Sequence, residues 1–196
     1  MGDQTDEKAE ERRLDEANVH WREGRYDQAL RLYEVLADLG NPECMVMAAW
    51  IYQMGCGESP DLERAKSLYE RAAAARNGRA AFELACICTS QGELATGATW
   101  MERSVELDYL PAMYQLALRH LHGFGVPRNA ERGRHLMQAA GDRGHLPAKL
   151  WTAGQMLRGA WGLSRIPEGL ALAVTNGWRW LLLHRSDPGN PLARDK

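Results

Sequence analysis

Histidines are the residues of this sequence that most readily suggest chemistry. Four of them lie close together, at positions 120, 122, 135 and 145. Imidazole nitrogens bind zinc when several of them converge on one point. His120 and His122 lie two residues apart in a helical pattern, so their side chains diverge by about 200°. We therefore predict no metal site.

Cysteines and known catalytic motifs give no reactive site either. Cys86 and Cys88 would point to different faces of a helix, and the sequence has no CxxC spacing. We expect the thiols to be small apolar side chains in a reducing compartment. The sequence lacks the nucleophile-elbow, zinc-protease, phosphate-loop and EF-hand motifs. It therefore predicts no catalytic residue, no cofactor and no enzymatic activity.

Charge excludes one further class of function. The chain has 196 residues and a formal net charge of −2. Binding to nucleic acid needs a basic face, so we predict none. The charge is uneven, because residues 1–40 are acidic and residues 143–196 are basic. This asymmetry fits a solubilising N-terminal cap, or a head-to-tail association, or a basic end that meets an acidic partner or a membrane surface.

The ends of the chain and its apolar stretches bear on location. The N-terminal residues MGDQTDEKAEERRLDE have no apolar core of a secretory signal. No uninterrupted apolar stretch reaches the roughly 18 residues of a membrane-spanning helix. We expect a cytoplasmic protein of bacterial type.

A repeat must position any functional residues of this chain. Its anchors are 36, 32 and 36 residues apart, at Cys44, Ala80, Ala112 and Ala148. Alanine follows every anchor by five positions. A second set of small residues lies later in each unit, at Ala65, Gly97, Gly133 and Gly169. Short side chains at fixed positions allow two helices to approach closely, so the repeat predicts paired helices.

Apolar residues in each half of the unit follow the i, i+3, i+4, i+7 spacing of an amphipathic helix. Gly55 and Gly123 fall between the two halves, where a tight turn requires a positive φ. The third unit has Gln91 and Glu93 in place of loop glycines. The second helices have candidate N-caps, namely Asp61 and Asn129.

The pattern closely resembles Sel1-like repeats, which are relatives of the tetratricopeptide repeat. The best matches are ALRHLHGFGVPRNAERGRHLMQAAGDRGH and AAWIYQMGCGESPDLERAKSLYERAAAARNG, while ANVHWREGRYDQALRLYEVLADLGNP is similar to a tetratricopeptide unit. The resemblance implies an all-α fold, a right-handed α-solenoid of stacked antiparallel helix pairs. It also implies that the first helix of each unit lines a concave groove.

The predicted units cover the whole chain. We predict a disordered segment or cap at 1–11, a tetratricopeptide-like repeat at 12–41, a Sel1-like repeat at 42–78, a shortened repeat at 79–110, a Sel1-like repeat at 111–146, a degenerate repeat with a C-terminal capping helix at 147–184, and a disordered tail at 185–196.

Positions carried over from the resemblance define a candidate partner-binding groove. Its residues are Trp21, Arg22, Val46, Trp50, Met54, Phe82, Tyr114, Leu118, His122, Leu157 and Arg158. Most are aromatic or apolar, and such residues concentrate binding energy at protein interfaces. We predict a non-enzymatic adaptor or regulator that binds a helix or peptide of another protein in this groove.

Several alternatives remain open at this point. The groove residues could instead pack in the core, or the C-terminal segment of the chain could fill the groove. The protein could be an immunity or inhibitor protein that neutralises a toxin or enzyme. The C-terminal stretch from Trp161, rich in Trp, Leu and Arg, could bind a membrane surface instead of capping the repeats. The partner and the oligomeric state are also open.

Overall fold

A computed structural model describes residues 3–56, 59–159 and 163–185. These residues form ten α-helices and one short 3-10 turn, and no strand is found among them. The helices are α1 (Asp3–Arg22), α2 (Tyr26–Asp38), α3 (Pro42–Met54), α4 (Leu62–Ala74), α5 (Gly78–Ser90), α6 (Leu94–Glu106), α7 (Leu110–His122), α8 (Ala130–Asp142), α9 (Leu146–Leu157) and α10 (Ile166–Arg185), and the 3-10 turn is Leu163–Arg165.

Two compact units make up the chain, Met1–Tyr109 and Leu110–Lys196. In the first unit the helices pair as α1 with α2, α3 with α4, and α5 with α6. In the second, α7 pairs with α8 and α9 with α10. The predicted all-α fold of stacked antiparallel helix pairs is confirmed.

The chain ends relate differently to the predicted units. Residues 3–11, predicted as disordered or as a cap, are the first half of α1. The predicted disordered tail lies outside the described residues, apart from Arg185 at the end of α10. Trp161 also lies outside them.

Helix starts follow the predicted capping chemistry. The Asp61 carboxylate accepts a hydrogen bond from the Arg64 N–H at 3.0 Å, and the Asn129 side chain accepts one from the Arg132 N–H at 2.9 Å. Both predicted N-caps of second helices are therefore confirmed. Caps at the same repeat position start three of the first helices, at Asn41, Asn77 and His145.

Close approach of paired helices depends on the second set of small residues. A methyl group added at Gly133 on α8 would lie 2.8 Å from Leu121 Cγ and 3.0 Å from the Ala117 carbonyl oxygen on α7. One added at Gly169 on α10 would lie 2.6 Å from Met156 Cβ on α9. The first helix therefore touches the backbone of the second, as the repeat predicts.

Turns between paired helices use glycine at a positive φ. Gly55 ends α3 with a φ of 65°, and its N–H donates to the Ile51 carbonyl. Gly123 follows α7 with a φ of 76°. In the third unit, where we expected no loop glycine, Gly92 has a φ of 83°. It lies between Gln91 and Glu93, so the shortened unit keeps a left-handed turn residue at a shifted position.

Candidate functional site

The first helices of unit Met1–Tyr109 carry a pair of tryptophans in contact. The rings of Trp21 on α1 and Trp50 on α3 are 4.8 Å apart, centroid to centroid, and inclined at 70°. Trp21 also meets Tyr26 edge-on at 5.3 Å. Both indoles are half-buried and rest on the apolar core. Part of each ring therefore stays open to solvent.

Helix α3 extends this apolar surface along its length. Four of the α3 residues that are not buried follow the spacing i, i+4, i+7, i+11, which places Glu43, Met47, Trp50 and Met54 on one stripe. Met54 is 54% exposed. We call Trp21, Met47, Trp50 and Met54 the aromatic face.

Val46 differs from the other predicted groove residues, because its side chain is completely buried. It lies at the same repeat position as Phe82 and Tyr114, both of which are half-buried. A valine side chain is much shorter than that of phenylalanine or tyrosine. The Val46 side chain therefore ends inside the core, whereas the rings of Phe82 and Tyr114 extend beyond it. Val46 therefore belongs to the core.

Buried tyrosines of the second helices hold polar groups on the first helices. The Tyr33 hydroxyl on α2 donates to Asn18 Oδ1, and the Tyr69 hydroxyl on α4 donates to Gln53 Oε1, each at 2.9 Å. Burial raises the pKa of both phenols, and Glu83 adds to this for Tyr69. These hydrogen bonds fix the rotation of α1 and α3, and so the direction in which Trp21 and Trp50 point.

Phe82 makes its ring contact elsewhere. On α5 it lies 5.5 Å from the Tyr109 ring, centroid to centroid. The neighbouring Glu83 is half-buried, and the loss of hydration raises the pKa of its carboxyl group, while Arg79 acts to lower it. The structure thus brings Trp21 and Trp50 together and gives Phe82 a separate aromatic partner.

A polar cleft between α2 and α4 was not expected from the sequence. The Tyr52 hydroxyl donates to the Glu34 carboxylate, and Arg64 donates to the Tyr52 oxygen at 3.2 Å. Burial and the bond to Glu34 raise the pKa of the Tyr52 phenol. The cleft has a volume of 460 Å³. Its central charges are paired with one another, so it gives no sign of an incoming ligand.

The first helices of unit Leu110–Lys196 carry fewer aromatic contacts. Tyr114 on α7 lies 4.9 Å from the imidazole of His145, centroid to centroid. His145 caps α9 by accepting a hydrogen bond from the Ala148 N–H at 3.4 Å, and burial lowers its pKa. Leu118 is half-buried, whereas Leu157 is exposed. In the first unit, Arg22 is also exposed, and its Nε donates to the Asn18 carbonyl.

Three arginines and one histidine of this second unit line a cleft of 420 Å³. The lining includes His122, Arg128, Arg134, Trp151, Gln155 and Arg158. We call these six residues the basic cleft. His122 and Arg158 come from the predicted groove, and the other four were missed.

The positions of two neighbouring histidines differ. His120 is buried on α7 with Nδ1 3.3 Å from the Pro127 carbonyl oxygen, while His122 is exposed. Among the residues that the structure describes, no group of three His, Cys, Asp or Glu side chains is placed to hold a metal ion. In the same part of the chain, no helix is long and apolar enough to cross a membrane.

Comparison with known proteins identifies the repeats. The family model of the Sel1 repeat matches residues 26–41, 42–77 and 110–145. The chain contains Sel1 repeats. The helix pair α5 and α6, at residues 78–106, lies between the matched repeats and keeps the glycine contact of a repeat, at Gly97.

Solved structures of several proteins have a similar fold. A Sel1 repeat protein from Oxalobacter formigenes aligns with a TM-score of 0.66 and 17% identity, covering 84% of each chain. A protective antigen present in uropathogenic Escherichia coli strains, with an SLR fold, aligns with a TM-score of 0.68 and 17% identity, covering 91% of this chain and 42% of its own. An immunity protein from Pseudomonas aeruginosa aligns with a TM-score of 0.56 and 19% identity, covering 82% of this chain and 65% of its own. No curated protein matches this sequence significantly.

Sel1 repeats generally mediate protein–protein interaction and generally act as non-catalytic scaffolds. Within repeat 42–77, the surface residue missed by sequence reasoning is Met47. Trp151 was missed in the same way on α9, seven positions before Arg158. Counting backwards from Trp50 and Arg158 in steps of three, four and seven would have found both, because those steps stay on one helix face.

Proposed function

We propose that this chain is a non-enzymatic protein-binding module, and that its aromatic face binds a helix or peptide of a partner protein. The Trp21–Trp50 contact supports this most directly. Two indoles share a ring contact and still leave part of their surface in water. Tryptophan is the side chain most enriched among residues that dominate binding energy.

Methionines complete the case for this surface. Met47 and Met54 flank Trp50 on the same stripe of α3. Unbranched thioether side chains adapt to different apolar shapes, and they are common on surfaces that bind amphipathic helices. The hydrogen bonds from Tyr33 and Tyr69 hold the underlying helices in place, so binding would require little reordering.

Affinity measurements with an identified partner test this proposal. Partners that co-purify from the native host are identified by mass spectrometry, purified and titrated against wild type, Trp50→Ala and Met54→Ala. We expect Trp50→Ala to weaken binding by about tenfold or more, because it removes the central apolar anchor. Met54→Ala should weaken binding less, while leaving the fold intact, since this side chain is exposed.

Exposed apolar residues at the C-terminal end of α2 supply the matched control. Val35→Ala on α2 and Leu39→Ala, at the residue that follows this helix, remove exposed apolar side chains, and binding should stay within about twofold of wild type. Thermal unfolding of each variant separates lost contact from lost fold. Equal affinity of wild type, Trp50→Ala and Met54→Ala would remove the aromatic face from the function.

An immunity or inhibitor role is a second candidate. It is supported by the fold shared with an immunity protein from Pseudomonas aeruginosa. In this reading the partner is a toxin or enzyme rather than a regulatory protein. Co-expression with the product of a neighbouring gene tests it, since rescue from toxicity is expected and unchanged toxicity would contradict it.

A membrane-surface role is a third candidate. Leu170 and Val174 lie one turn apart on α10 and are 56% and 51% exposed. Flotation with anionic liposomes should be reduced by Leu170→Gln with Val174→Gln. Equal recovery of wild type and variant in the unbound fraction would eliminate this candidate.

A further inference from the structure

The basic cleft concentrates one sign of charge. Its lining holds three arginines and one histidine, and no carboxylate. The arginines come from the loop after α7, the first turns of α8 and the end of α9, and the histidine comes from the end of α7. Like charges brought together by separate elements repel one another, and an anion placed among them would relieve that repulsion.

The chain itself does little to neutralise these arginines. Arg128 donates from Nε to the Leu121 carbonyl at 3.2 Å. Among the residues that the structure describes, no carboxylate lies within ion-pair distance of Arg134 or Arg158. The polar cleft at Tyr52 differs, because there Arg64 is paired with Asp61 as well as with the phenol.

Apolar and amide groups complete the lining. Trp151 is half-buried and offers an aromatic surface, and Gln155 lies one turn further along α9. Guanidinium groups bind carboxylates through two parallel hydrogen bonds. A segment that presents carboxylates on either side of a large apolar side chain would match this combination.

We propose that the basic cleft binds an acidic peptide segment of the partner protein, with carboxylates on Arg134 and Arg158 and an apolar side chain on Trp151. This inference rests on the proposed protein-binding function and assigns the partner its chemistry. The partner contains an acidic stretch with large apolar residues, and this cleft contributes selection for charge that an aromatic surface cannot supply.

A phosphate group fits the cleft less well. Phosphate sites commonly use backbone N–H groups at the start of a helix. At the start of α8, the Asn129 side chain already accepts the Arg132 N–H, and Glu131 places a carboxylate in the first turn. The anion-binding groups of this cleft are arginine side chains, whose planar guanidinium groups match the planar carboxylate.

Titration of the full chain with defined peptides tests the inference. The probe is a short peptide in which glutamate and leucine alternate, and its control has glutamine in place of every glutamate. We expect Arg134→Gln and Arg158→Gln each to weaken binding of the acidic peptide by about fivefold, as for partly solvated ion pairs. Trp151→Ala should also weaken it.

Matched charge controls keep the result specific. Arg132→Gln lies on the same helix as Arg134 but does not line the cleft, and Arg12→Gln removes an exposed charge from α1. Both should bind the acidic peptide within about twofold of wild type. The glutamine peptide should bind at least about tenfold more weakly than the acidic one.

Three results would overturn the inference. Equal affinity for the glutamate and glutamine peptides would show that the cleft does not select for negative charge. Tighter binding of inorganic phosphate than of the acidic peptide would assign the cleft to a phosphate ligand. Salt-sensitive self-association that Arg134→Gln with Arg158→Gln abolishes would make a second copy of the chain the occupant. If the peptide fails while Trp50→Ala still impairs partner binding, the protein-binding function stands and only this inference falls.

Discussion

The aromatic face and the basic cleft are each built from residues of successive helix pairs but offer opposite chemistry. The aromatic face lies on α1 and α3 and is uncharged. The basic cleft lies in unit Leu110–Lys196, where the lining includes three arginines and no carboxylate. One repeat architecture therefore supports an apolar surface and an ionic one, because outward positions are free to vary while inward small residues are not.

The inward residues show the constraint. Ala65 on α4 is fully buried, and glycine takes the corresponding place on α8 at Gly133. Tyr69 and Met137, four residues further along, are also fully buried. The first unit thus places a tyrosine hydroxyl behind its aromatic face, while the second has a thioether without a hydrogen bond at that position.

Gly133→Ala should have the largest effect and should damage only the basic cleft. The added methyl group would collide with Leu121, which lines the cleft, and with the Ala117 carbonyl. We expect a loss of about 1–3 kcal/mol in the free energy of unfolding, as for overpacked cores. Chemical denaturation measures this loss, and affinity for the acidic peptide should fall with it.

The aromatic face gives the internal comparison for that variant. Hydrogen exchange in α1 and α3 of Gly133→Ala should remain close to wild type, since Gly133 lies in the other unit. Unchanged stability and unchanged peptide affinity would mean that α8 can shift freely, and that the glycine does not set the geometry of the cleft.

Salt should separate the two surfaces next most strongly. Raising ionic strength from about 50 mM to about 500 mM shortens the range of charge interactions several-fold. We expect affinity of the acidic peptide for the basic cleft to fall by about tenfold. Apolar contacts are not weakened by screening, so the part of partner affinity that Trp50→Ala removes should be nearly the same at both salt concentrations.

Isothermal titration at both salt concentrations measures this difference. A peptide affinity that does not change with salt would contradict ionic binding in the basic cleft. A Trp50→Ala effect on affinity that vanishes at high salt would contradict apolar binding on the aromatic face.

Sequence reasoning reached the helix pairs because the constraints on them are local and periodic. Small residues recur at fixed offsets, and the caps at Asp61 and Asn129 follow from their own side chains. The shifted turn at Gly92 was missed, since a four-residue deletion hides which glycine takes the positive φ.

The candidate surfaces were harder to predict. Val46 and Met47 are adjacent and both apolar, so composition could not show which of them is buried. The basic cleft is lined by residues from α7, α8, α9 and a loop. No spacing along the chain indicates that Arg128, Arg134 and Arg158 line the same cleft. Surfaces made from several elements depend on packing, which a single helical pattern does not specify.

Acid should affect the second unit through His145. Burial lowers the pKa of this histidine, so the folded state favours neutral imidazole, which can accept the Ala148 N–H. The unfolded chain has a histidine pKa of about 6.5. The stabilising contribution is therefore complete above about pH 6.5 and is lost as pH falls below that value towards the lowered folded pKa.

Thermal unfolding across this range tests the effect. His145→Asn replaces the imidazole Nδ1 with an amide oxygen as the cap acceptor and is not protonated in this pH range, so its stability should fall less than that of wild type on acidification. The first unit has a single histidine, His20, and its aromatic face should persist under the same conditions. Identical pH profiles for wild type and His145→Asn would show that the cap does not titrate.

Gly154→Ala should have the smallest effect, with the opposite sign. Gly154 lies inside α9, where a methyl group would meet nothing within 4 Å. Alanine lowers the entropy of the unfolded chain and favours helix, so we expect a gain of about 0.5–1 kcal/mol in the free energy of unfolding.

Binding by this variant also tests where the peptide lies. Gly154 is three residues after Trp151 and four before Arg158, so all three lie on one face of α9. A peptide held by the outer ends of the two side chains should bind Gly154→Ala within about twofold of wild type. A marked loss of affinity in a more stable protein would place the peptide backbone directly against the helix, and the cleft would then select for shape as well as for charge.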